Sequence, residues 1–219
     1  MLARFEEIQL RIGRMKAHYS SERVTSSKDM TMVERSIVND YFTLDRQQGV
    51  SILGHLDKGG TFDSQYWIDI FQGTGRTGGA DKSDLMIVGR YQWNVLGEAL
   101  GLAMSDLARR PRPAAFVAVA ASRNTSRYSG FSSDGGIQLP GFEDYGLDDQ
   151  YEIEQWMLDC KYHHQGFSLQ ASTMRNMCLI RYPRKNSDAR LVSPIWNICQ
   201  QLVALCPETT GINGPICHR

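Results

Sequence analysis

The residues best suited to metal or thiol chemistry gather in the last third of the chain. They are Cys160, Cys178, Cys199, Cys206 and Cys217, with His163, His164 and His218 among them. Zinc takes four N or S ligands, usually delivered as two close pairs. Cys160 and His163 open a C-x2-H-H run that would supply one pair, and Cys217 with His218 would supply the other from the tail. No C-x2-C is present. The competing reading makes the thiols reduced, buried hydrophobes, so that the protein carries no cofactor. Five is an odd number, and the spacing lacks the density of a secreted disulfide scaffold.

A second constellation is Gly73, Gly75 and Gly78, a literal G-x-G-x-x-G after a short apolar stretch. Such glycines let backbone approach a pyrophosphate, and Arg76 at the loop tip would meet a phosphate. The G-K-[ST] ending of a phosphate loop is missing. This loop defines one alternative function, a small enzyme acting on a phosphate or nucleotide ligand; the other reading is a plain loop.

Charge is arranged in blocks. Arg109, Arg110, Arg112, Arg123 and Arg127 precede an acidic run holding Glu143, Asp144, Asp148, Asp149, Glu152, Glu154 and Asp159. Lys161, Arg175, Arg181, Arg184, Lys185 and Arg190 follow. Basic residues interleaved with Tyr162, Phe167 and Tyr182 suit nucleic acid, and segment 143–159 suits a basic protein partner. Alternatively the blocks pair with one another across the fold. The net charge of zero supplies no global field in either direction.

Apolar spacing of three and four predicts helices to position these groups. The stripe Leu2, Phe5, Ile8, Ile12, Met15 and Tyr19 marks a helix over 2–19, and further helices are read over 30–48, 85–107, 148–162, 169–182 and 195–206. Residues 66–71 and 114–121 read as short strands or helical turns. The fold class is therefore mainly α with few short strands. A helical N-terminal domain over 1–121 is joined by a Ser/Gly-rich linker, 122–148, to a C-terminal three-helix domain over 149–219. No apolar run of about 18 residues is present, and the N-terminus lacks a signal-peptide core. These features predict a cytoplasmic protein with no membrane contact.

Several segments resemble, in order, the phage late-gene antiterminator Q-type proteins that end in sigma-factor-like helices. RYQWNVLGEALG, SRYSGFSSDGG, DDQYEIEQWMLDC, STMRNMCLIRY and NSDARLVSPIWNICQQLVAL carry the likeness, over residues 90–206. The resemblance implies a helix-turn-helix-like reader in which Ser193, Trp196, Asn197 and Gln200 face DNA, flanked by Arg181, Arg184, Lys185 and Arg190. The leading expectation is a non-enzymatic, DNA-binding transcription regulator. The alternatives are the ligand enzyme of the glycine loop and a helical oligomeric structural protein.

Overall fold

In a computed structural model of the chain, described for residues 3–4, 6–30, 32, 34–36, 39, 43–73, 85–132, 135–137, 147, 149–181 and 192–205, the dominant element is a nine-stranded antiparallel sheet. Its strands are β1 Ala3–Arg4, β2 Gln9–Lys16, β3 Arg46–Leu56, β4 Ser64–Phe71, β5 Met86–Leu96, β6 Ala114–Ser126, β9 Tyr151–His164, β10 Phe167–Arg181 and β11 Val192–Leu205. They pair in that order, so each strand lies beside its predecessor in the sheet. A small hairpin of β7 Gly130–Ser132 and β8 Gly135–Ile137 stands apart. Helix is confined, among the described residues, to α1 Ser21–Val24 and a 3-10 turn at Ser27–Asp29, with a single helical position at Asn39.

The expected mainly α fold is thus corrected. The predicted helix over 2–19 is β2 with its flanks, 85–107 begins as β5, and 148–162, 169–182 and 195–206 fall on β9, β10 and β11. The helix over 30–48 ends inside β3, and much of it lies outside the described residues. A spacing of four explains the error. Positions i and i+4 share a face in a helix and equally in a strand. Ile153 and Met157 face inward on β9, whereas Trp156 and Cys160, read onto the same stripe, face outward. The stretches 66–71 and 114–121 lie within β4 and β6. One sheet takes strands from both sides of residues 122–148, and 122–126 complete β6.

Successive side chains alternate between faces. On β5, Met86, Val88, Arg90, Gln92 and Asn94 are buried, while Ile87, Tyr91, Trp93 and Val95 are exposed. Pairing carries these rows across neighbouring strands: Arg90 lies opposite Trp67 and Ala120, and Tyr91 opposite Tyr66 and Val119.

The sheet must curl. His18 donates its backbone N–H to Asp69 on β4 at 2.8 Å, Arg90 on β5 donates to the Tyr19 carbonyl at 3.0 Å, and Gln170 on β10 donates to Ser21 Oγ at 3.1 Å. On a flat sheet β4 and β10 would stand about 19 Å apart, four strand spacings. Residues 18 to 21 span at most about 11 Å. Segment 17–29 therefore runs inside a concave face. Segment 97–113 joins it there: Thr25 Oγ1 donates to the Leu102 carbonyl at 2.7 Å and Met104 N–H to the Asp29 carbonyl at 3.0 Å.

Asp106 anchors this second segment. Its Oδ2 accepts the N–H groups of Arg110 and Gly166, each at 3.0 Å, and its own N–H donates to Ser168 Oγ at 2.8 Å. Gly166 belongs to the two-residue turn between β9 and β10, where Gln165 and Gly166 have φ of 50° and 89°. Paired positive φ is the geometry that a tight hairpin requires, and glycine adopts it without strain.

The inner face changes character along the strands. Near the long connections (17–45, 72–85, 127–150) it is apolar, with Tyr19, Leu44, Phe71, Met86, Phe131 and Tyr151 in one cluster. Toward the opposite end it becomes polar. There the turn from β3 to β4 is fastened by Asp63, which accepts the Gly59 N–H at 2.8 Å, meets His55 Nε2 at 2.7 Å and accepts from Asn94. Burial alone would raise this carboxyl, but those three hydrogen bonds prevail and hold it below the ordinary carboxylate range. A depressed folded pKa means the stabilisation is complete above the unfolded pKa and is lost as pH falls through the folded value. Hydrogen-exchange protection of the Gly59 amide should therefore stay level near neutrality and drop below about pH 4. In Asp63→Asn the protection should be lower throughout and carry no such step; a level profile to pH 2 in the unaltered protein would sink this assignment.

Candidate functional site: a cationic cavity on the inner face

The polar half of the concave face encloses a cavity of about 400 Å³, the size of a small-molecule site. The sheet supplies Gln9 and Arg11 from β2, Leu53 and His55 from β3, Gln65 and Trp67 from β4, Arg90 and Gln92 from β5, Phe116 from β6 and Lys161 from β9. The inward segments close it with His18, Ser21, Val24 and residues 99–102. Alternation explains the convergence, since each sheet residue sits at an inward position of its strand. Among the described residues no carboxylate lines this cavity.

The carboxylates stand behind the cations. Arg90 donates from Nη2 to Asp159 Oδ2 at 3.1 Å and from Nη1 to the Tyr19 carbonyl, and its guanidinium lies 6.0 Å from the Trp67 ring and 5.9 Å from that of Phe116. The other Asp159 oxygen accepts from Ser172 at 3.2 Å. Both charges of this pair are buried, so removing either partner would strand the other out of water. Lys161 donates to the carbonyls of Leu102 at 3.4 Å and Ala103 at 3.2 Å, and its ammonium stands 5.7 Å from the Phe116 ring. His18 stacks on Trp67 at 5.8 Å and holds Asp69 through Nδ1 at 3.0 Å, with Ser51 on the same carboxylate.

The outer face is the reverse of a soluble sheet. Ile68, Ile70, Ile87, Tyr91, Trp93, Val117, Val119, Trp156 and Leu158 are exposed on adjoining strands, Trp156 by 62%. A contiguous apolar band of this extent is out of place against water. At its margin Arg123 pairs with Glu152, and with Glu154 at 3.8 Å. The basic and acidic blocks thus meet across the sheet at this point.

Of the residues singled out in the sequence, Cys160 and His163 lie on β9 three positions apart, hence on opposite faces, and share no ion. Cys217 and His218 lie outside the described residues. Among the described residues no cluster of three metal-ligating side chains occurs. Gly73 has φ of 76°, and its carbonyl accepts from Asn124 Nδ2 at 3.1 Å; Gly75, Arg76 and Gly78 lie outside the described residues. Arg181 ends β10, and Ser193, Trp196, Asn197 and Gln200 sit on β11 opposite Ile180, Met177, Asn176 and Thr173. A strand in a sheet is not a recognition helix, so the helix-turn-helix-like reader is withdrawn. Arg184, Lys185 and Arg190 lie outside the described residues. The cavity residues Arg11, His18, His55, Trp67 and Arg90 went unrecognised in the sequence, and Lys161 was read only as one member of a basic block. The signal that carries them is period two, as in MIVGRYQWNVL, where apolar Ile87, Tyr91 and Trp93 alternate with polar Arg90, Gln92 and Asn94.

Apolar outside, polar inside and antiparallel throughout is the pattern of a channel-forming sheet of the outer-membrane type. The family model described as phosphate-selective porin O and P matches residues 3–178, and the chain belongs to that family. No curated protein and no solved structure matches the chain. The family assignment overturns the resemblance to phage antiterminators, and with it the DNA-binding regulator and its nucleic-acid partner. The expected cytoplasmic location and absence of membrane contact are corrected in the same way, since porins of this family reside in the outer membrane. The ligand enzyme and the helical oligomer receive no support. No described helix is long and apolar enough to cross a membrane; a sheet crosses by its strands.

The outward band makes a direct demand on folding. Placing a cation there, as in Val119→Arg, should cost about 2–4 kcal/mol near the bilayer midplane and lower the yield of folded protein in vesicles, read by urea titration. Arg at a half-buried inward position on the cavity wall, Gln65→Arg, should cost much less. Equal costs at the two positions would argue against lipid contact for this face.

Proposed function

We propose that the protein is an outer-membrane channel for phosphate-type anions, with Arg11, Arg90 and Lys161 as the groups that draw the anion in. The observation that carries this reading is the cavity lining, which among the described residues holds three cations and two imidazoles and no carboxylate. Rings of Arg and Lys select anions in pores, and low-dielectric walls focus their field. The family description, phosphate-selective porin O and P, points to the same ion class. Connections 17–45, 72–85 and 127–150 lie at one strand end, and the short turns 57–63 and 165–166 at the other together with segment 97–113, which folds inward; long loops outside and short turns inside are the external and periplasmic sides of such sheets. On that orientation the cavity lies toward the periplasmic side, below the apolar cluster.

Planar-bilayer recordings in a potassium chloride gradient test the reading. The unaltered protein should show a reversal potential of an anion-selective pore, and inorganic phosphate should reduce the chloride current. Arg11 is exposed on its strand, so Arg11→Glu should spare the fold. Unit charges at contact range in water interact by about 1 kcal/mol, so reversing the Arg11 charge on the wall of a wet pore should lower the chloride-to-potassium permeability ratio roughly tenfold. A cation-selective wild-type pore, or a ratio indifferent to Arg11→Glu, would refute it.

A further inference from the structure

The cavity is larger and more apolar than an inorganic ion requires. Orthophosphate occupies a volume of about three waters, ~90 Å³, against about 400 Å³ here. Much of the wall is carbon: Trp67, Phe116, Leu53, Leu100 and Val24 line it beside the cations. Charge and apolar surface are adjacent, since Arg90 and Lys161 both lie within 6.0 Å of an aromatic ring of that wall. Trp67 is only half-buried, one neighbour being the stacked His18 ring. A bare phosphate would leave these surfaces wet.

We infer that the cavity takes an organic phosphate, a phosphomonoester with a flat apolar body, whose phosphate meets Arg11, Arg90 and Lys161 while its body covers Trp67 and Leu102. The inference rests on the anion-channel reading and narrows its substrate class. Aromatic surfaces bury large area and favour stacked neighbours, and Arg and Lys recognise the phosphate by charge-assisted hydrogen bonds. One molecule that satisfies both replaces the cavity's water in a single step.

The test measures block of the chloride current of the full chain in planar bilayers by phenyl phosphate, inorganic phosphate and phenol. Phenyl phosphate should half-block at a concentration at least tenfold below that of inorganic phosphate, with phenol inert. In Trp67→Ala the ratio of the two half-blocking concentrations should fall toward one. Leu102→Asn, at a cavity residue of segment 97–113 whose side chain is exposed, should lower the ratio in the same direction while keeping the backbone carbonyl that holds Lys161. Block by inorganic phosphate with no advantage for phenyl phosphate would overturn this inference and leave the channel reading standing. An advantage that survives both substitutions would overturn the assignment to this cavity. Block by neither anion would overturn the channel reading and this inference together.

Discussion

Hydrocarbon offers no hydrogen-bond partner, and that single constraint governs the rest of this structure. Backbone N–H and C=O groups must be paired within the protein wherever lipid surrounds it. Antiparallel strands, eight to fifteen residues long apart from the two-residue β1, pair in chain order with only the β7–β8 hairpin passed over, and so meet that demand. The same demand fixes the faces. Ile87, Tyr91 and Trp93 look outward because lipid accepts them, and Arg90, Gln92 and Asn94 look inward because the curled sheet provides water and partners. The amphipathic pattern is that of a soluble sheet turned inside out.

The curl creates a second problem, an interior too wide for side chains to fill. Two inward segments solve it differently at the two ends. Near the long connections, Tyr19 and Leu44 pack with Phe71, Met86, Phe131 and Tyr151 as an ordinary apolar core. Further along, segments 17–29 and 97–113 meet each other and the strands through hydrogen bonds, and Asp106 ties the second of them to the β9–β10 turn. Packing fills part of the interior near the long connections, while hydrogen bonding leaves a polar cavity toward the other end.

Little of this was legible in the sequence, for physical reasons that particular residues display. Ile153 with Met157, and Trp156 with Cys160, are each four apart, a spacing common to one face of a helix and one face of a strand. A membrane-facing strand also needs fewer polar residues than a soluble one. AAFVAVAA in β6 is apolar on both faces, with Ala118 and Ala120 inside and Val117 and Val119 outside, so it shows no alternation in polarity. Strands of fourteen or fifteen residues match typical helix lengths and exceed ordinary strands. The positive cavity was invisible because its cations, Arg11, Arg90 and Lys161, come from three distant strands. What the chain did disclose was the opposition of charge blocks, realised in Arg123 with Glu152 and Glu154.

The cavity also reconciles two requirements that oppose each other. A buried cation must be compensated for lost water, yet compensation by carboxylates alone would cancel the field that attracts an anion. Arg90 has one carboxylate, Asp159, and a backbone carbonyl, that of Tyr19. Lys161 is held directly by two carbonyls, those of Leu102 and Ala103. Carbonyl dipoles satisfy donors without removing their charge, so two cations share one carboxylate and the positive excess persists. All three carbonyls come from the inward segments. Segments 17–29 and 97–113 therefore do more than fill space: by lending dipoles in place of charges, they let a sheet in a low-dielectric surround keep unneutralised cations on its inner wall.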